Sequence, residues 1–222
     1  MTLDLQISPT LRSKYWQTAL LLGIFTVFYN LVEGLVSVYF GVSDETIALF
    51  GFGVDSFIEV LSGIGIVAMI LRIRPNPDAP RSQFEQTALR ITGMAFYILA
   101  VGLVLTIVVN LVTGHKPETT VPGAVISIIS ILVMLWLVAA KRRVGRALHS
   151  APILADANCT MICVYMSVVL LAASLVYHLT GFGFADSLGA AGLIYFSYQE
   201  GREAFEKAAG MECACETGSC KE

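Results

Sequence analysis

The feature that most constrains this chain is a succession of apolar stretches of about twenty residues, the length a helix needs to cross a hydrocarbon core of about 30 Å at about 1.5 Å per residue. Six can be read, over roughly residues 16–40, 46–71, 88–113, 121–140, 153–178 and 184–199. The sixth is the least apolar, thinned by glycines and closed by Tyr198, Gln199 and Glu200, but it still reads best as a span. Composition points the same way: only 14% of the residues are charged, against roughly 25% in an ordinary soluble domain, so a water-facing surface cannot be made. The expected fold class is an all-α membrane protein, a six-transmembrane-helix bundle.

The basic residues test that count independently. Arg12 and Lys14 precede the first stretch; Arg72, Arg74, Arg81 and Arg90 surround the second connection; Lys141, Arg142, Arg143 and Arg146 fill the fourth; Arg202, Lys207 and Lys221 follow the last. Lys116 alone falls on the other side. Under the positive-inside rule this alternation puts the N and C termini in the cytoplasm. The net charge of -3 leaves no basic stripe for nucleic acid, because the basic residues are committed to topology. The first stretch is too long for a signal peptide and no small-residue cleavage site follows it, so it is expected to be retained.

No internal domain boundary is visible. Residues 1–207 are expected to form one six-helix bundle, and residues 208–222 a short cysteine-containing cytoplasmic tail with no folded C-terminal domain. The loop around Pro75, Asn76, Pro77, Asp78 and Pro80 and the stretch from Gly114 to Thr120 are irregular connections.

Inside a bilayer the informative residues are ionisable groups away from helix ends, each costing at least about 2.5–3.5 kcal/mol to place. Glu33, Asp55, Glu59 and Asp156 qualify. Asp55 and Glu59 are four apart, so their carboxyls share a helix face about 6 Å apart along the axis. Two such charges do not both ionise unaided: either one stays protonated and hydrogen-bonds to a neighbouring helix, or a cation lies between them. On the fifth stretch, Asp156, Cys159 and Cys163 follow the i, i+3, i+7 spacing of one stripe, with Asn158 beside it. A lone membrane cysteine is most often a small hydrophobe. Two at this spacing, facing two carboxylates, would complete a four-coordinate site for a borderline or soft divalent ion. Asp156, Asn158 and Glu33 are candidate pathway residues; for Glu33 a proton-carrying role and a plain interhelical hydrogen bond explain the residue equally well. His115, His149 and His178 lie at helix ends or loops and read as interfacial. Cys213, Cys215 and Cys220 put three thiols on a cytosolic, reducing segment where disulfides do not persist, which suits metal capture as well as it suits an incidental tail.

At these residues the sequence resembles the cation diffusion facilitator family of metal transporters. The likeness runs from Asn30 to Gly41, through Ala48 and Leu49, into Val54-Asp55-Ser56-Phe57-Ile58-Glu59, which is similar to the family's Asp-x-x-x-Asp signature on helix 2. It continues at Leu154-Ala155-Asp156-Ala157-Asn158-Cys159, similar to the start of the family's helix 5. The resemblance implies a homodimeric, proton-coupled exporter whose helix 2 and helix 5 pairs form a tetrahedral site near the midplane, here Asp55, Glu59, Cys159 and Cys163. Two departures stand out. Glu59 occupies an aspartate position, and Cys159 and Cys163 occupy the positions where zinc-transporting members carry His or Asp and then Asp. Sulfur shifts the expected cargo from zinc alone to zinc or cadmium, with Hg2+ or Cu+ as softer options.

The expected function is therefore secondary export of a divalent heavy-metal cation from the cytoplasm by metal/proton antiport with alternating access, in a multi-pass protein of the plasma (inner) membrane. The partners are the lipid bilayer, the metal ion, protons and a second copy of the chain. No enzymatic activity, prosthetic group or nucleic-acid partner is expected. A non-transporting metal sensor or assembly partner would keep the metal site and lack flux. A membrane thiol redox protein would use Cys159 and Cys163 and leave Asp55 and Glu59 without a task.

Overall fold

A computed structural model describes residues 9–43, 46–75, 83–113, 121–181, 184–210, 212–213 and 220–221. Six helices follow one another: α1 (Pro9–Ser43), α2 (Ile47–Ile73), α3 (Gln83–Thr113), α4 (Val121–Leu148), α5 (Ala151–Thr180) and α6 (Ala185–Ala208). They are longer than the apolar stretches because polar turns extend them beyond the hydrocarbon, as at Gln83–Arg90 and Lys141–Leu148. The first five are each long and apolar enough to cross a membrane. The sixth is not, by itself: its uncharged run is confined between Asp186 and Glu200, and its membrane depth depends on packing along α3 and α5. Beyond it, β1 (Glu212–Cys213) and β2 (Cys220–Lys221) pair antiparallel, with Cys213 opposite Cys220. Cys215 and Lys116 lie outside the described residues.

Packing follows a ring: α1 lies against α2, α2 against α3, α3 against α6, α6 against α5, α5 against α4, and α4 against α1. Contacts of α2 with α5 and α6 cross the interior. The helices alternate in direction, so the described Lys and Arg residues of α1–α6 gather at one end, where α2 leads to α3 and α4 turns into α5. That basic end includes a tight turn. His149 adopts a left-handed conformation (φ 50) while Ser150 N donates back to Gly145 O at 3.0 Å, closing the last turn of α4.

Two apolar clusters divide the interior. One joins α2, α3, α5 and α6 toward the end away from the basic residues, through Leu49, Phe52, Leu103, Met166, Leu170 and Leu193. The other joins α1, α4 and α5 near the basic end, through Trp16, Leu22, Met134, Leu137 and Ile153. The outer surface carries Ile98, Val101, Leu105, Val108 and Val112 on α3 and Leu21, Phe28 and Leu35 on α1, all exposed. Such a belt is unfavourable in water and matched by lipid tails. Helices without a hydrophobic drive between them associate through close contact, which small residues allow. A Cβ at Gly53 on α2 would sit 2.7 Å from Val38 N on α1, so only glycine permits this crossing.

One polar device fixes α2. Its first turn exposes backbone N–H groups that no preceding carbonyl can pair, and the Thr46 side chain does not cap them. Asp186, from the start of α6, takes both: Ile47 N donates to Oδ2 at 2.8 Å and Ala48 N to Oδ1 at 3.0 Å, all three residues being buried. The helix that carries Asp55 and Glu59 is thereby pinned at its far end to α6.

Candidate metal centre

Because α2 and α5 run in opposite directions and meet near their middles, residues twelve positions into each helix face one another. Glu59 and Cys163 are those residues. The Cys163 thiol donates to Glu59 Oε1 in a very close contact, and Asn30 Nδ2 of α1 donates to Glu59 Oε2 at 2.7 Å. Asp55 lies one turn away toward the end opposite the basic residues. It is buried, its Oδ1 has no hydrogen-bond partner among the described residues, and it remains within Coulombic range of Glu59 and of the Cys163 thiol. Cys159 lies one turn from Cys163 toward the basic end, where its sulfur accepts from Lys207 Nζ at 2.8 Å and stands 3.8 Å from Glu203 Oε1.

The four residues expected to share one ion thus form a line along the bundle axis, joined at Glu59–Cys163. Antiparallel helices displace the second member of each pair in opposite directions, by about 6 Å per four residues. Among the described residues no three His, Cys, Asp or Glu side chains converge closely enough to hold one ion in this conformation. Both membrane cysteines are free thiols.

A cavity of about 70 Å³ leads to the contact. Its lining includes Asn30, Glu59 and Ser62, then Cys163, Cys159, Asp156, Glu200 and Lys207, so it extends from the midplane toward the basic end. Away from that end the space between α2, α3, α5 and α6 is filled by the apolar cluster around Leu49, Phe52 and Leu193. The Glu59–Cys163 contact thus has a polar cavity on the side toward the basic end and a packed apolar cluster on the other.

The remaining candidates are placed variously. Asp156 lines the cavity and is held by Lys141 Nζ at 2.9 Å, with Lys141, itself buried, also donating to Thr160 Oγ1 at 2.9 Å. Asn158 accepts from Arg142 at 3.2 Å. Glu33 sits outside the cavity lining, where Tyr29 donates to Oε1 at 2.9 Å and Ser56 to Oε2 at 3.2 Å. Asn30, Lys141, Glu200, Glu203 and Lys207 were assigned no site role from the sequence. Glu200, Glu203 and Lys207 repeat the i, i+3, i+7 stripe of Asp156, Cys159 and Cys163, a signal masked because they follow the apolar part of the sixth stretch. Cys213 and Cys220 belong to the paired backbone of β1 and β2.

Comparison with curated proteins finds no match. A family model described as the cation efflux transmembrane domain matches residues 20–210, which takes in α2, α5, the cavity between them and nearly all of the other helices. The chain therefore belongs to the cation efflux family, and is an integral membrane transporter of metal cations.

Proposed function

We propose that this protein exports a divalent heavy-metal cation, zinc or cadmium, from the cytoplasm in exchange for protons. The observation that carries the reading is the contact between the Glu59 carboxyl and the Cys163 thiol at the inner limit of a polar cavity that extends toward the basic end. By the positive-inside rule that end faces the cytoplasm, so the conformation described is the one that loads cytoplasmic ions. A carboxylate and a thiolate suit a borderline or soft divalent ion. Asp55 and Cys159 supply the other ligands once α2 and α5 shift relative to each other.

Proton exchange follows from the ligand chemistry. A free thiol titrates near about pH 8.5, so at neutral pH sulfur starts protonated and a metal must displace that proton to bind. Opening the apolar cluster around Phe52 and Leu193 exposes the loaded site to the other side. Protons there return to sulfur and carboxylate and discharge the ion. Glu33, held by Tyr29 and Ser56 beside α2, is a further proton carrier in this scheme. The working unit is a homodimer in the plasma membrane.

The test is metal uptake into reconstituted vesicles across a pH gradient, with a panel of divalent ions. Asp55→Ala and Glu59→Ala each remove a ligand while making the helix more apolar, so both variants insert and neither transports. Undiminished flux in Glu59→Ala would remove helix 2 from the mechanism, flux indifferent to the gradient would remove proton coupling, and saturable binding without flux would favour a sensor.

A further inference from the structure

We propose that Cys159, Glu200 and Glu203 form a second cation site, one turn nearer the basic end than Glu59–Cys163, which takes Cd2+ or Zn2+ and is filled by the Lys207 ammonium when no metal is bound.

The cage is built by two stripes. Glu200, Glu203 and Lys207 occupy one face of α6, and Cys159 faces them from α5. Lys207 Nζ lies 2.7 Å from Glu203 Oε1 and 2.8 Å from the Cys159 sulfur, so the ammonium bridges a carboxylate and a sulfur from two helices. Glu200, three residues before Glu203 and seven before Lys207 on the same face of α6, lines the same cavity as Cys159 and Lys207. Its Oε1 is fully buried and has no hydrogen-bond partner among the described residues. A buried carboxylate oxygen without a partner is costly, and the Lys207 ammonium is bonded to the other two groups.

One sulfur, two carboxylates and a cavity water make a four-coordinate set for a borderline or soft divalent ion. In this conformation Cys159 and Glu203 hold the ammonium, and the three groups close on a metal only after that ammonium leaves. Lysine can do so: its long stem lets the charge swing toward the nearby interface. Metal binding then forms the bond to sulfur as the Cys159 proton passes to cavity water, while Lys207 keeps its own proton. Lys207 thus acts as a tethered competitor, so only an ion able to bind sulfur displaces it and moves on to Glu59 and Cys163. That last step rests on the transport reading; the site itself does not.

The experiment uses the purified full chain with Cys163, Cys213, Cys215 and Cys220 replaced by Ser, which leaves Cys159 as its one thiol. Titration with Cd2+ is followed by the sulfur-to-cadmium charge-transfer absorbance. One equivalent should bind. Because even groups that merely support ligands change metal affinity by about 10–100-fold, Glu200→Gln or Glu203→Gln should weaken binding at least about tenfold. Lys207→Gln should tighten it by removing the competitor. No saturable band, or a band that both glutamine variants leave unchanged, would overturn the site, and unchanged affinity in Lys207→Gln would overturn the role of the lysine. The mirror chain, with Cys163 kept and Cys159→Ser, takes the sulfur from the second site and one proposed ligand from the first, so a band that survives in it reports on Cys163. The response of the Cys159 chain to Glu200→Gln and Glu203→Gln distinguishes the second site from Asp55 and Glu59.

Discussion

Removing the carboxylate of Asp186 tests the link between α6, at the end of the bundle opposite the basic residues, and the helix that carries Asp55 and Glu59. In Asp186→Ala the amides of Ile47 and Ala48, now bonded at 2.8 and 3.0 Å, lose their acceptor while the residues that bear them stay buried. A hydrogen bond to a charged group is worth about 1.5–3 kcal/mol, and an abandoned buried donor costs about 1–3 kcal/mol. The two descriptions overlap, and the bond nearest the loop can recover some hydration, so the expected loss is about 3 kcal/mol. Asp186→Asn keeps one acceptor and turns an amide donor toward the second N–H, for roughly half that loss. The assay is equilibrium unfolding of the detergent-solubilised protein in mixed micelles with increasing denaturing detergent. A change under about 0.5 kcal/mol in the alanine variant, the size expected of an indifferent surface substitution, would refute the cap.

Replacing Cys159 with His and Cys163 with Asp restores an imidazole and carboxylate pair and should move preference from cadmium toward zinc in competitive vesicle uptake; an unchanged ratio tells against sulfur ligation. Lys141 and Asp156 form an ion pair with side chains 4% and 15% exposed, so Lys141→Met alone should cost about 3–5 kcal/mol in the same unfolding assay by leaving a charge unpaired. The double variant Lys141→Met, Asp156→Leu should recover most of that loss, and strict additivity would mean the two residues do not act as a pair. Truncation after Gly210 removes Cys213, Cys215 and Cys220 and should leave maximal transport intact while changing apparent affinity at most; complete loss of flux would make the tail part of the mechanism.

What the sequence determined by itself is what depends on local periodicity and solvent. A run of twenty apolar residues has to be helical in lipid because every backbone polar group must be paired within the segment, and the basic connections set which ends lie together. The helices were legible for that reason, and so was the sharing of faces by the candidate ligands, Asp55 with Glu59 and Cys159 with Cys163, which follows from spacing alone. Helix ends were not, because polar turns such as Gln83–Arg90 continue helices past the hydrocarbon. The sixth helix shows the limit in another way: the sequence reads it as a span, yet alone it is not long and apolar enough to cross, and its place depends on packing along α3.

Only the tertiary structure decided how the faces meet. Spacing says that two residues lie on one side of a helix, but axial register between antiparallel helices comes from close contacts far apart in sequence, such as Gly53 against Val38, and from the Asp186 cap. That register opposes Glu59 to Cys163, sends Asp55 deeper, and leaves Cys159 facing α6. It also turns Lys141 and Lys207, which read as topology signals, inward onto Asp156, Cys159 and Glu203. A long basic side chain near a helix end can reach water or a buried acid, and which it does depends on the neighbouring helix that no local pattern specifies.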